Sequence, residues 1–101
     1  MAEYSTLSLS QRAPGVVQVT MSRPAVFNAF DETMIAELDA AFAALAADAG
    51  VRVIVLAGDG KHFSAGADLQ WMQRASQASR EWNLDDARRF AAMLARIADC
   101  P

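Results

Sequence analysis

The residues of this chain best equipped for chemistry lie in His62-Phe63-Ser64-Ala65-Gly66-Ala67-Asp68-Leu69, directly after the apolar run Val51-Arg52-Val53-Ile54-Val55-Leu56-Ala57. Ala65, Gly66 and Ala67 put three small residues together, so a ligand can approach the backbone N–H groups closely. If a helix begins near Ala67 or Asp68, the free amides of its first turn point outward, with the positive end of the helix dipole behind them. That arrangement stabilises an oxyanion. Asp68 then reads as a cap of the first turn rather than a catalytic acid. His62, the single histidine, precedes the motif and reads as a solvated loop side chain. Phe63 reads as the loop's anchor in the core. Gly58-x-Gly60 could open a dinucleotide-binding loop, but a G-x-G-x-x-G pattern would need its third glycine where Phe63 stands, and the spacing fails.

The elements that must position this stretch follow from periodicity and punctuation. Thr6 to Ala13 and Val16 to Met21 alternate between apolar and polar residues. Pro14-Gly15 between them suits the central positions of a type II turn, so a hairpin is expected. Arg23-Pro24 ends the second strand. Val26 to Ala29 form a loop, in which Asn28 reads as a turn or capping residue. Asp31 and Glu32 mark a helix start, Met34, Ile35, Leu38, Ala41, Phe42 and Leu45 form its core stripe, and Gly50 stops it. Val51 to Ala57 reads as a strand buried on both faces, with the ligand end at its C-terminus.

Leu69 to Ala75 is patterned as a helix and Ser76 to Asn83 as a loop. A last helix is capped by Asn83, with Leu84, Ala87, Phe90, Ala91, Leu94 and Ile97 on its apolar face. Arg88, Arg89 and Arg96 read as a solvated or ion-paired face, and Pro101 ends the helix. The order is strand, strand, helix, strand, helix, helix, and the fold class is α/β.

Composition limits the partners. A chain of 101 residues with 53% hydrophobic content and a net charge of −3 is not disordered and has no basic stripe for nucleic acid. A polyanionic ligand must be held locally, by Arg23, Lys61 and the amides after Gly66. The single cysteine, Cys100, excludes an internal disulfide and a cysteine metal cluster, and reads as a small hydrophobe near a helix end. No segment approaches the ~18 apolar residues of a membrane span. The N-terminus lacks a basic start followed by an apolar core. A soluble cytoplasmic protein is expected.

Phe63-Ser64-Ala65-Gly66-Ala67-Asp68-Leu69, together with Arg23-Pro24-Ala25-Val26-Phe27-Asn28-Ala29 upstream, resembles the first half of the crotonase (enoyl-CoA hydratase/isomerase) family. Gln70-Trp71-Met72 and Asn83-Leu84-Asp85-Asp86-Ala87-Arg88 are similar to its branch that hydrates methylglutaconyl-CoA and related branched enoyl-CoAs.

The resemblance implies a spiral of ββα units, of which residues 1–101 are the N-terminal part of a single domain. A fragment of a longer protein is also expected because Phe90, Leu94 and Ile97 need covering. It implies an acyl-CoA substrate, with coenzyme A present as part of that substrate and neither a covalent cofactor nor a metal. The thioester oxygen would take the backbone N–H of Ala67 as one of two oxyanion donors, which makes Ala67 catalytic. The coenzyme would lie along Ala65, Gly66, Ala67, Asp68 and Leu69. Carbonyls around Ala65, Ala67 and Leu69 would receive the adenine amino group, with Val26 and Ala29 beside the nucleotide.

Trp71 and Met72 are placed where an acyl chain would pass, although core packing explains them equally. The resemblance also implies two glutamates and a glycine-rich second donor beyond Pro101, and a homotrimer or hexamer of the full-length protein. The same half-site serves isomerases, dehalogenases and thioester hydrolases. A non-catalytic assembly module is the alternative outside the enzymes.

Overall fold

The structure, a computed structural model, describes residues 4–100. The reading of Pro101 as a terminator falls outside them. Strands β1 (Leu7–Ala13) and β2 (Val16–Met21) form the expected antiparallel hairpin, and β3 (Val53–Gly58) adds in parallel to β2, giving the sheet order β1-β2-β3. The parallel pairing obliges the chain to cross over between β2 and β3. Helix α1 (Glu32–Ala47) makes that crossing.

Helix α1 starts where an aspartate can accept from the first turn: Asp31 takes the N–H of Met34 at 2.9 Å. Its stripe is buried as the 3.6-residue period requires, with Met34, Ile35, Leu38, Ala41 and Phe42 inside. These pack with Leu7, Val19, Met21, Trp71 and Met93 into one core, each large side chain contributing ~1.5–3 kcal/mol by burial. The helix ends at Ala47 rather than running to Gly50, where Asp48 closes a turn on the Gly50 N–H.

Several expectations are corrected. β3 is an edge strand, and its residues are half-buried or exposed rather than covered on both faces. An apolar run shows only that burial is affordable, and the number of neighbouring strands sets how much occurs. The segment expected to be a loop is helical: α2 spans Leu69–Gln77 and α3 spans Arg80–Ala98, joined by Ala78 and Ser79 alone.

The N-cap of α3 is Ser79, which accepts from Trp82 N, and Asn83 instead donates to the carbonyls of Ala75 and Ser79, tying the two helices together. Starting α3 earlier brings Trp82, Asp86, Phe90, Met93 and Ile97 to the inner side, while Leu84 and Leu94 are exposed. Asp86 looked like a first-turn acid, yet it is buried and accepts the Trp71 indole N–H at 2.7 Å, with the Trp71 ring edge-on to Phe90. Arg88 and Arg96 pair with Asp85 and Asp39, as expected of an ion-paired face. Among the described residues, no helix is long and apolar enough to cross a membrane.

The start of β1 is anchored by Glu37 of α1, whose carboxylate accepts the N–H and hydroxyl of both Ser5 and Thr6. Burial works to raise the pKa of this carboxyl, but the donors from Thr6 and Ser5 outweigh it, so it titrates below the usual glutamate range. The folded state therefore gains stability from the ionised form above the unfolded pKa, about 4.3. That stability is lost as the pH falls through the folded value. Glu37→Gln is expected to flatten the acid limb of a plot of urea midpoint against pH, and an unchanged limb would refute the clamp.

Candidate functional site

After β2 the chain makes a short 3-10 turn at Pro24–Val26, and then Phe27 and Asn28 adopt left-handed backbone with φ of 55° and 56°. Asparagine tolerates this geometry better than most side chains, and its amide offers both donors and an acceptor. Asn28 is completely buried. Its Oδ1 accepts the Arg23 N–H at 2.8 Å, and its Nδ2 donates to the carbonyls of Asp59 and His62, both at 2.9 Å. One side chain thus fastens the loop after β2 to the loop after β3. No buried side-chain polar atom among the described residues is left without a partner.

The loop after β3 is drawn in by Gly58. A Cβ there would lie 2.5 Å from the Phe63 carbonyl oxygen and 2.7 Å from that of His62. Both are backbone atoms, which cannot rotate away. Gly58→Ala is expected to destabilise the chain by ~1–3 kcal/mol, seen as a lower thermal midpoint, and an unchanged midpoint would contradict this packing. Backbone proximity, rather than a side-chain anchor, holds the loop: Phe63 is 55% exposed, contrary to its expected place in the core.

The Ser64 hydroxyl continues the network, donating to the Asn28 carbonyl at 2.9 Å and accepting the Gly66 N–H at 3.1 Å. Gly66 then turns the chain at φ 90°, a conformation that glycine adopts freely. Ala67 makes an isolated parallel bridge with Phe30. Phe30 N donates to the Gly66 carbonyl at 2.6 Å, and Asp68 N donates to the Phe30 carbonyl at 2.7 Å.

Successive peptide groups in extended chain point to opposite sides, so the Ala67 N–H and C=O face away from Phe30. The neighbouring amides are all engaged: Ala65 N donates to Phe27 O, Gly66 N to Ser64 and Asp68 N to Phe30 O. The Ala67 N–H donates to no acceptor among the described residues.

Ala67 is also one of the residues lining a cleft of about 640 Å³, together with Val26, Ala29, Ala65, Leu69 and Met72. Leu69 is 72% exposed. The Ala65 and Ala67 carbonyls accept from none of the described residues, whereas the Leu69 carbonyl opens α2 and faces into the helix. Ala67 precedes the cap of α2, so its free amide results from the bridge and not from the helix's first turn.

Asp68 is 5% exposed and is the cap of α2, with Oδ1 accepting from Trp71 N at 3.1 Å and Oδ2 held by Arg23 at 3.0 Å. Burial tends to raise its pKa, but the Trp71 N–H and the Arg23 guanidinium overcome this and keep the carboxyl below its ordinary range. Arg23, a candidate for a ligand's negative charge, turns inward instead, reaching the Ala29 carbonyl, Asp31 and Asp68. Lys61 remains exposed beside a small adjoining hollow with His62, whose ring meets the edge of Phe27.

The structure thus brings Val26, Ala29, Ala65, Ala67, Leu69 and Met72 to one cleft with Asp68 at its floor, and places Trp71 in the core instead. Asn28, Ser64 and Arg23 are the residues whose roles were not foreseen. Asn28 alone carried a signal: a residue tolerant of left-handed backbone with both donor and acceptor, next to small residues.

The sequence model of the family described as enoyl-CoA hydratase/isomerase matches residues 11–101. A Rhizobium meliloti protein named "Probable enoyl-CoA hydratase" is 46% identical over 70 residues, covering 69% of this chain and 27% of that protein. The 2,3-dehydroadipyl-CoA hydratase of Escherichia coli is 34% identical over 77 residues, 76% of this chain and 29% of its own. This chain spans less than a third of either relative. The crystal structure of an enoyl-CoA hydratase/isomerase from Xanthobacter autotrophicus superposes with a TM-score of 0.89 at 33% identity, over 98% of this chain and 36% of that one.

Proposed function

Since this chain belongs to the enoyl-CoA hydratase/isomerase family and has its crotonase-type α/β fold, we propose that it forms the coenzyme-binding half of a site that adds water to α,β-unsaturated acyl-CoA thioesters. The observation that supports this reading is that the Ala67 amide, between the engaged amides of Gly66 and Asp68, has no acceptor among the described residues, and that Ala67 lines the cleft.

In hydration, hydroxide from a water molecule bonds to the β-carbon. The electron pair of the double bond then moves onto the thioester, leaving negative charge on its oxygen, and a proton later reaches the α-carbon. The Ala67 N–H is the donor aimed at that oxygen, stabilising charge that develops only as the reaction proceeds. The free carbonyls of Ala65 and Ala67 suit an exocyclic amine such as that of adenine. Val26 and Ala29 form the apolar wall beside the nucleotide, and Met72 and Leu69 offer apolar surface to the acyl chain.

The glutamates of the described residues are placed elsewhere. Glu32 pairs with Arg74, Glu37 clamps β1, and Glu81 lies in the first turn of α3. In this reading the 101-residue chain binds the coenzyme but does not itself split water.

Calorimetric titration of the chain with coenzyme A, crotonyl-CoA and NAD tests this. Binding of coenzyme A and crotonyl-CoA but not NAD is expected, with no hydration of crotonyl-CoA near the rate of a full-length relative. Binding of none of the three, or hydration at that rate, would overturn it.

A further inference from the structure

We infer that Arg23 is a positioning residue for the Ala67 amide, clipping together the two segments whose bridge sets the direction of that N–H. The inference rests on the proposed oxyanion role of Ala67. Its geometry is independent of any ligand.

The bridge joins Phe30 to Ala67. The Arg23 guanidinium contacts residues on both sides of it: Nη1 donates to the carbonyl of Ala29, and Nη2 lies 3.4 Å from Asp31 Oδ2, so both neighbours of Phe30 are held. The same Nη2 donates to Asp68 Oδ2 at 3.0 Å, which holds the neighbour of Ala67. Asp31 and Asp68 are themselves the caps of α1 and α2, each using Oδ1 for its helix and Oδ2 for Arg23. One planar cation therefore couples two helix N-termini across the base of the cleft. Its own backbone is fixed from below, where Asn28 Oδ1 accepts the Arg23 N–H. The Arg23 side chain is 20% exposed and that of Asp68 6%, so the clip is largely shielded from water.

Arginine suits this role because its rigid fork donates in several directions at once. A lysine ammonium at the end of a flexible stem holds the charge without the fork. Arg23→Lys and Arg23→Gln, each made in the 101-residue chain, test the inference by amide hydrogen exchange. Exchange at Phe30 N and Asp68 N is expected to accelerate at least ~10-fold in both variants, while amides of the β1–β2 ladder keep their rates. Unchanged rates at Phe30 and Asp68, equal acceleration everywhere, or failure of both variants to fold would overturn the inference, because each result denies Arg23 a local positioning role.

The second readout is the ratio of affinities for crotonyl-CoA and coenzyme A, which differ in the crotonyl group whose carbonyl Ala67 would meet. The ratio is expected to fall about tenfold in the variants, and equal weakening for both ligands would count against positioning. If the unsubstituted chain binds neither ligand, the proposed function fails, and the exchange rates still decide the part played by Arg23.

Discussion

Ala67→Pro is expected to weaken the hold of this site on a thioester enolate by ~10²–10³-fold, the effect of removing one donor of an oxyanion hole. The substitution replaces the amide hydrogen with a ring carbon and fixes φ, and the residue that the ring restricts is the permissive Gly66. Ala67 is exposed and extended, and its N–H forms no internal bond among the described residues, so the fold loses no ladder contact. A β-ketoacyl thioester is a suitable probe, because its enolate absorbs in the ultraviolet and carries the charge the donor is proposed to meet. Titrating such a thioester against the chain and its Ala67→Pro variant should show the enolate band induced by the first and not the second. Coenzyme A affinity should change little. Equal enolate bands from the two proteins would remove Ala67 from the mechanism.

Asn28→Ala is expected to cost ~3–5 kcal/mol of stability, because it removes a completely buried amide and strips partners from three partly buried backbone groups at once. The Arg23 N–H loses its acceptor, and the carbonyls of Asp59 and His62 lose their donor. For a chain of this size that corresponds to a fall in Tm of at least ~12 °C. Two further variants separate the causes. Asn28→Gly removes the same bonds but relieves the strain of left-handed backbone, and so should recover only about 1 kcal/mol relative to alanine. Asn28→Asp keeps the acceptor for Arg23 but presents a carboxylate oxygen to two carbonyls, and should be no better than alanine. A Tm within a few degrees of the parent for Asn28→Ala would refute the role of Asn28 as the tie between the two loops.

Much of the fold was legible in the chain. The hairpin, the core stripe of α1 and the Asp31 cap followed from alternation, a 3.6-residue period and a short polar side chain ahead of an apolar run. The stretch from Ser76 to Asn83 was not, because serine and asparagine suit caps and loops on local grounds, while packing of Trp82 and Phe90 on the core favours helix. Asp86 was misplaced for a related reason. An acid on the inner face of a helix finds its partner, the Trp71 indole, on another element 15 residues away.

The amino-acid sequence by itself determined the order of the elements and the two motifs that mark the family, since periodicity, capping and small-residue runs are properties of neighbours along the chain. Only the tertiary structure decided that the Ala67 N–H has no acceptor among the described residues and that Arg23 faces inward. Those outcomes depend on bonds between segments far apart in sequence, as between Asn28 and His62 at 34 residues and Arg23 and Asp68 at 45. A peptide group's direction is set by whichever partner it meets in space, and that partner exists only once the chain has folded.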